Sequence, residues 1–573
     1  MPSPTPQRAL PAVAALLAAA LWAGAHLMVH TPRGWPMDVP GEWDLLLTAL
    51  AIASGNAPDA AIGTLHGNEL GSYLVAALVA LPVTLGMDVV AAGKWVALAF
   101  GAGSAGVVGW LAAWLGLRAG AASKDALTGA VMAGALMAAA WPGLHFELAG
   151  VNGRTPESLL PQLLAVALLV TLSPDAGRPA LLRRALGVGV VLSVGWLLSP
   201  VTLWTLGACG VGAMVLLRSW PDRALATAGA AAGVLLPLAL FAWLVPGGTD
   251  GLELFRVEQF GGGLAVSDDA SGTPTGLALL GYVHQALEGG AHNPDLWRRG
   301  LLLGLLGWAV LLGLTSAIAW AIRRGDGRGP EALAAGIALS WLVPLFLLPS
   351  DKWFYPLAYR YWVLLLAVGI ALIPVLALRL RRLGPTGETA GRAVFFGGAV
   401  IAGLCGATLP RSFVAPAPSR AEALVSAGAH RMNARPGHGR HAAFLALAPH
   451  VQERDLPALA EGYGLALGGD MAVDFADERP GEMPWDAPLA LHGRAQTAFL
   501  FGVGCGVTSA EQIAPTALSA MVDSGEARGP MLAGLARCAG DRPDGQVAPA
   551  DPDGSARVTS TVPDPAALMP PRW

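Results

Sequence analysis

The chain has 573 residues, of which 54% are hydrophobic and only 13% charged, with a mean hydropathy of +0.53. Soluble globular domains carry about 25% charged residues, so this composition, with its many long apolar runs, excludes an ordinary soluble protein and points to a polytopic membrane protein. The net charge of −4 leaves no basic footprint for nucleic acid, and four cysteines are too few for a disulfide scaffold.

Taken in order, the chain opens with Arg8 and an apolar run over 9–29, read as a signal anchor; a cleaved signal peptide is the alternative, given the small residues Ala23 and Ala25. A long polar segment, 31–69, follows, in which 44–54 is apolar enough to lie along a membrane surface. The run 70–86 is short and contains Pro82. If it crossed, every later loop would break the rule that Lys and Arg collect on the cytoplasmic side. It is therefore read as a dipping, non-spanning segment. Further spans are expected at 89–117, 127–144, 159–173, 186–199, 201–217, 224–245, 300–322, 332–348, 362–378 and 393–409. The short inside loops then carry Arg118 and Lys124; Arg178, Arg183 and Arg184; Arg218 and Arg223; Arg323, Arg324 and Arg328; and Arg379, Arg381, Arg382 and Arg392.

The expected fold is thus an all-α polytopic membrane protein with about eleven transmembrane helices in 1–410. Its outside loops are 31–69, 145–158, 246–299 and 349–361. A small α-helical periplasmic domain follows over 411–541, then a Pro/Asp/Gly-rich tail, 542–573, that should be disordered. Within the domain, RDLPALAEGYGLALG (454–468) matches RAQTAFLFGVGCGVT (494–508) at an offset of 40, with a partial third copy at 534–540. Helical hairpins packed closely through glycine explain that pattern. Cys505 and Cys538 occupy these repeats and could pair in an oxidising compartment. Abundant Gly and Ala with scarce Lys resembles the usage of high-GC bacteria, which places the chain in a bacterial cytoplasmic (inner) membrane.

Four groups of residues could carry chemistry. Asp38, Glu42 and Asp44 stand close together in the first outside loop. A carboxylate near an apolar boundary is partly desolvated and becomes a usable base, although solvated loop acids would look the same. Lys94 sits inside an apolar run, where a lone cation costs about 2.5–3.5 kcal/mol and faces a cavity, a partner or, by snorkelling, the headgroups. Arg360 and Tyr361 lie in a late outside loop, where a guanidinium suits bidentate phosphate binding and tyrosine suits the membrane interface. His66 and Glu69 open the dipping segment. No Walker motif, dinucleotide fingerprint, H-E-x-x-H or C-x-x-C is present, which argues against an ATPase, a nicotinamide enzyme and a zinc protease.

The layout resembles the GT-C superfamily of membrane glycosyltransferases, the polyprenyl-phosphate-sugar enzymes related to protein O-mannosyltransferases and aminoarabinose transferases. The resemblance rests on a first span followed by a long acidic outside loop (Asp38, Glu42, Asp44), a surface segment after HGNE (66–69), the GMDVVAAGK pattern ending at Lys94, and the Arg360-Tyr361 pair before a late span. E-W-D stands where the family has adjacent acids, and H-G-N-E-L replaces its proline-containing segment. The resemblance implies sugar transfer from a polyprenyl-phosphate donor to an envelope lipid or polymer. Asp38, or else Glu42 or Asp44, would be the base; Lys94 and Arg360 would hold the donor phosphate, with Tyr361, His66 and Glu69 lining the site. No cofactor is required, and a divalent cation is optional. The rival reading is a non-catalytic membrane scaffold or envelope-assembly protein acting through its C-terminal domain. Neither reading names a protein partner.

Overall fold

The computed structural model describes residues 5–30, 41–55, 71–139, 155–172, 177–199, 202–217, 219–257, 310, 313–316, 329–341, 363–408, 420–433, 448, 451–474, 491–508, 512–513, 527–540 and 556–557. These are almost wholly helical. Apart from an antiparallel pairing of 512–513 with 556–557, every regular element is a helix.

The N-terminal part comprises α1 (Thr5–His30), α2 (Gly41–Ala53), α3 (Gly71–Thr84), α4 (Val89–Arg118), α5 (Ser123–Ala139), α6 (Thr155–Val170), α7 (Arg178–Leu198), α8 (Thr202–Leu216), α9 (Trp220–Leu244) and α10 (Gly248–Val257). It continues with α11 (Pro330–Ser340), α12 (Val363–Leu380) and α13 (Pro385–Thr408). Among the described residues, five helices are long and apolar enough to cross a membrane: those at Ala9–Met28, Val89–Arg118, Arg178–Leu198, Trp220–Leu244 and Val363–Leu380. Shorter or less apolar helices cover the described parts of the expected spans at 127–144, 159–173, 201–217, 332–348 and 393–409, the one in 332–348 ending at Ser340, while 300–322 lies largely outside the described residues. Four helices with a proline in the first turn, α6, α7, α9 and α11, start earlier than hydropathy placed them, whereas α4 starts at Val89 as expected. Glu157 and Ser158, assigned above to an outside loop, lie in the first turn of α6, which opens with Thr155-Pro156.

Small residues set the helix directions. Gly101 of α4 faces Trp22 of α1, and Gly109 faces Ala14 and Ala18, so the two helices run antiparallel at close range. Gly229 faces Leu182 and Gly233 faces Leu186 and Val190, which makes α7 and α9 parallel neighbours. The two ends of the bundle differ in charge. At one end Arg382 donates to the carbonyls of Ala119 and Gly120, Arg184 to that of Thr171 and Arg223 to that of Leu217. Arg379 pairs there with Glu331 and Arg381 with Asp125.

The opposite end carries a second core. Leu45–Leu47 of α2, Val75, Ala76 and Val79 of α3, and Val89, Ala92 and Ala97 of α4 are buried together with residues of a C-terminal helical unit. That unit comprises α14 (Arg420–Asn433), α15 (Leu456–Asp474), α16 (Arg494–Val507) and α17 (Arg528–Gly540). Both ends of α3 lie at this end of the bundle: Tyr73 stacks edge-on against Phe241 of α9, and Met87-Asp88 leads directly into α4. With 14 residues α3 is about 21 Å long, short of the roughly 30 Å hydrocarbon core.

In the C-terminal unit the helices meet backbone to backbone. Gly462 of α15 lies against the carbonyl of Val425, Gly502 of α16 against that of Glu461, and Gly534 of α17 against that of Phe501. The repeated glycines of the sequence are therefore the contact rows, and a disulfide joins Cys505 of α16 to Cys538 of α17. A β-carbon at Gly462 would overlap the Val425 carbonyl, whereas one at Gly403 of α13 meets nothing within 4 Å. Gly462→Ala should destabilise the unit by about 1–3 kcal/mol, while Gly403→Ala should leave thermal unfolding unchanged or raised. Burial raises the carboxyl of Glu461 above its ordinary value of 4.5. Its contribution to stability is therefore full below that value and lost as pH rises through the folded value. Glu461→Gln should raise the unfolding midpoint of the unit at neutral pH and leave it nearly unchanged in acid.

Candidate functional site

Asp88 caps α4: its Oδ1 accepts from the backbone N–H groups of Val90 (3.0 Å) and Ala91 (3.2 Å). The cap fixes where the helix begins, and so the depth of Lys94, about 7.5 Å further along the axis. Lys94 is 3% exposed. Its neighbours on α4 divide between the two cores, Ala92 and Ala97 in the upper one and Leu98 in the bundle core, so Lys94 lies at the seam between them. Trp95, next in sequence, is half exposed. A buried amine in an apolar setting is expensive unless its charge is compensated.

Helices α1, α6 and α8 and the end of α11 bring polar groups to the same half of the bundle. On α1, Trp22 and His26 are both wholly buried and stacked, their ring centroids 6.2 Å apart. Trp22 abuts Gly101, so His26, one turn on, runs toward the level of Lys94. On α6, which meets α4 through Leu160 and Gly103, Glu157, Ser158 and Gln162 are buried. A hydrogen-bonded chain then crosses three helices. Gln162 Nε2 donates to Ser158 Oγ (3.0 Å), Thr205 Oγ1 of α8 donates to Gln162 Oε1 (2.6 Å), and Trp341 Nε1, just after α11, donates to Thr205 Oγ1 (3.3 Å).

Of the residues singled out from the sequence, Lys94 is the one whose side-chain setting is described. Glu42 and Asp44 fall in the first turn of α2, which packs on α3 and on the start of α4. Asp38, His66, Glu69, Arg360 and Tyr361 lie outside the described residues. His26, Glu157, Gln162 and Thr205 were not singled out. A histidine near the end of the first span and a Thr-Pro-Glu helix start were visible signals, but their burial depends on contacts distant in sequence. Among the described residues no three His, Cys, Asp or Glu side chains gather as a metal site.

Comparison with protein-family models, with curated proteins and with solved structures finds no match for the chain.

Thr205 both donates to Gln162 and accepts from Trp341. Thr205→Val should cost about 1–3 kcal/mol by depriving two buried groups of a partner, and Thr205→Ser should restore most of it. Thermal unfolding in detergent checks both.

Proposed function

We propose that the chain is a membrane glycosyltransferase that moves a sugar from a polyprenyl-phosphate donor to an envelope lipid or polymer. The observation that carries this reading is the burial of Lys94 at the seam beneath α2, the helix bearing Glu42 and Asp44. An apolar end of the bundle with a fixed cation suits a substrate that is a lipid at one end and a phosphate at the other.

In the proposed reaction a carboxylate, Asp38 first and Glu42 or Asp44 otherwise, takes the proton of the acceptor hydroxyl. The acceptor oxygen forms a bond to the anomeric carbon as the bond from that carbon to the donor phosphate oxygen breaks. The electron pair leaves with the phosphate, whose charge Lys94 and Arg360 balance. Tyr361, His66 and Glu69 are assigned to the rim of the substrate site. The reading takes the eleven-span topology, with the arginine-rich end in the cytoplasm and the C-terminal unit in the periplasm of a bacterial inner membrane. The Cys505–Cys538 disulfide supports an oxidising side for that unit.

A scaffold role through the C-terminal unit is the second reading, favoured by the rigid glycine-packed stack, a form suited to presenting a surface. The two readings separate in a strain lacking the protein and complemented with wild type, Asp38→Asn or Lys94→Met, followed by mass profiling of envelope glycans and lipids. The transferase reading expects one sugar to disappear and to return with wild type. Each variant, inserted at normal levels, should transfer about 10²–10⁴-fold more slowly. An unchanged profile in the deletion strain, or full rescue by both variants, overturns it in favour of the scaffold.

A further inference from the structure

The starts of three helices converge on a single guanidinium. Arg420 is the first residue of α14. Its Nε and Nη2 donate to Asp455 Oδ1 (3.0 Å) and Oδ2 (2.6 Å), a two-pronged bond. Asp455 immediately precedes α15, and its carbonyl accepts from Leu459 N at 3.2 Å, the first bond of that helix. On its other side Arg420 Nη1 lies 3.6 Å from Oδ2 of Asp88, the carboxylate that caps α4.

The links to Asp455 and to Asp88 are unequal. The bond to Asp455 is bidentate, short and nearly sealed, since that carboxylate is 9% exposed; the contact to Asp88 is single, longer and 40% exposed on the carboxylate side. Charge-assisted bidentate bonds hold well, whereas exposed single contacts are weak and screened by salt. Parting at Asp88 leaves nothing stranded. Asp88 keeps its two backbone partners at a helix start, where the dipole favours a negative charge, and Arg420 keeps Asp455. A contact whose charged groups each keep a partner when it opens can act as a latch, released while the shared apolar core still holds the two parts together.

We propose that Arg420 is a releasable electrostatic latch through which the C-terminal helical unit sets the position of the outer end of α4, the end that holds Lys94. Anything that draws on the C-terminal unit, or raises ionic strength, loosens that end of α4 without unfolding either part. The proposal stands independently of the transferase reading; with it, the latch makes the C-terminal unit the regulator of the site.

Hydrogen exchange on the full chain in lipid nanodiscs tests the latch. Asp88→Asn removes the charge but keeps the cap, because asparagine caps as well as aspartate. Arg420→Gln removes the other partner. In both variants the amides of 92–98 and of α2 should exchange about threefold to tenfold faster than in wild type, with 108–118 unchanged. Wild type taken from about 0.05 M to about 0.5 M salt should move the same amides the same way, and Asp88→Asn should no longer respond. In Asp88→Asn, α14–α17 should exchange as before. Unchanged exchange at 92–98 in Asp88→Asn, or acceleration confined to α14–α17, overturns the latch even where Arg420→Gln fails to fold.

Discussion

The fold depends on satisfying helix carbonyls at the basic end of the bundle. Every helix ends with carbonyl groups that have no partner in the helix itself, and hydrocarbon supplies none. Arg382 closes the end of α4, Arg184 the end of α6 and Arg223 the end of α8. Arg184 and Arg223 reach over from the following helices and Arg382 from the turn after α12, so each closure also locks one element to another. The arginines that reveal sidedness in the sequence thus do mechanical work, and the opposite end of the bundle is free to be built differently.

That opposite end is assembled as a second layer. The pair α2–α3 fills the space between the bundle and the C-terminal unit, and residues of all three share one buried core. The C-terminal unit is therefore a part of the membrane protein's architecture and not an appendage on a linker. Two packing styles meet there. Glycine rows bring α14–α17 into backbone contact, while bulky side chains (Leu45, Leu46, Tyr463, Phe499) fill the space beneath them. Lys94 lies where the second layer meets the first.

Much of this was legible in the sequence. Apolar length and the placement of arginine gave the order of helices, and the 40-residue repeat of glycines marked the contact rows later seen between α15 and α16. The role of α2 and α3 was not legible, because hydropathy cannot distinguish a face that meets lipid from one that meets protein. Val75 and Val79 are sealed whereas Leu81 and Leu85 stand out, and the sequence treats all four alike. The candidate site was legible in its lysine, since one cation in an apolar run is conspicuous. His26, Glu157 and Thr205 join that region only through the crossing of α1, α6 and α8 with α4 and α11, a relation that no local pattern encodes.

The shared upper core carries a consequence for how the protein is made. Helices α2 and α3 emerge early from the ribosome, but the leucines and aromatics that seal them, Leu424 to Met531, follow only after about 340 further residues. At about 5–20 residues per second, that leaves an apolar hairpin waiting roughly 20–70 s for the first of its cover and up to about 90 s for the last. A soluble protein would risk aggregation over such an interval. In a membrane protein a lipid surface offers such a segment an apolar cover that water does not, so late completion of this core carries less risk there than it would in solution.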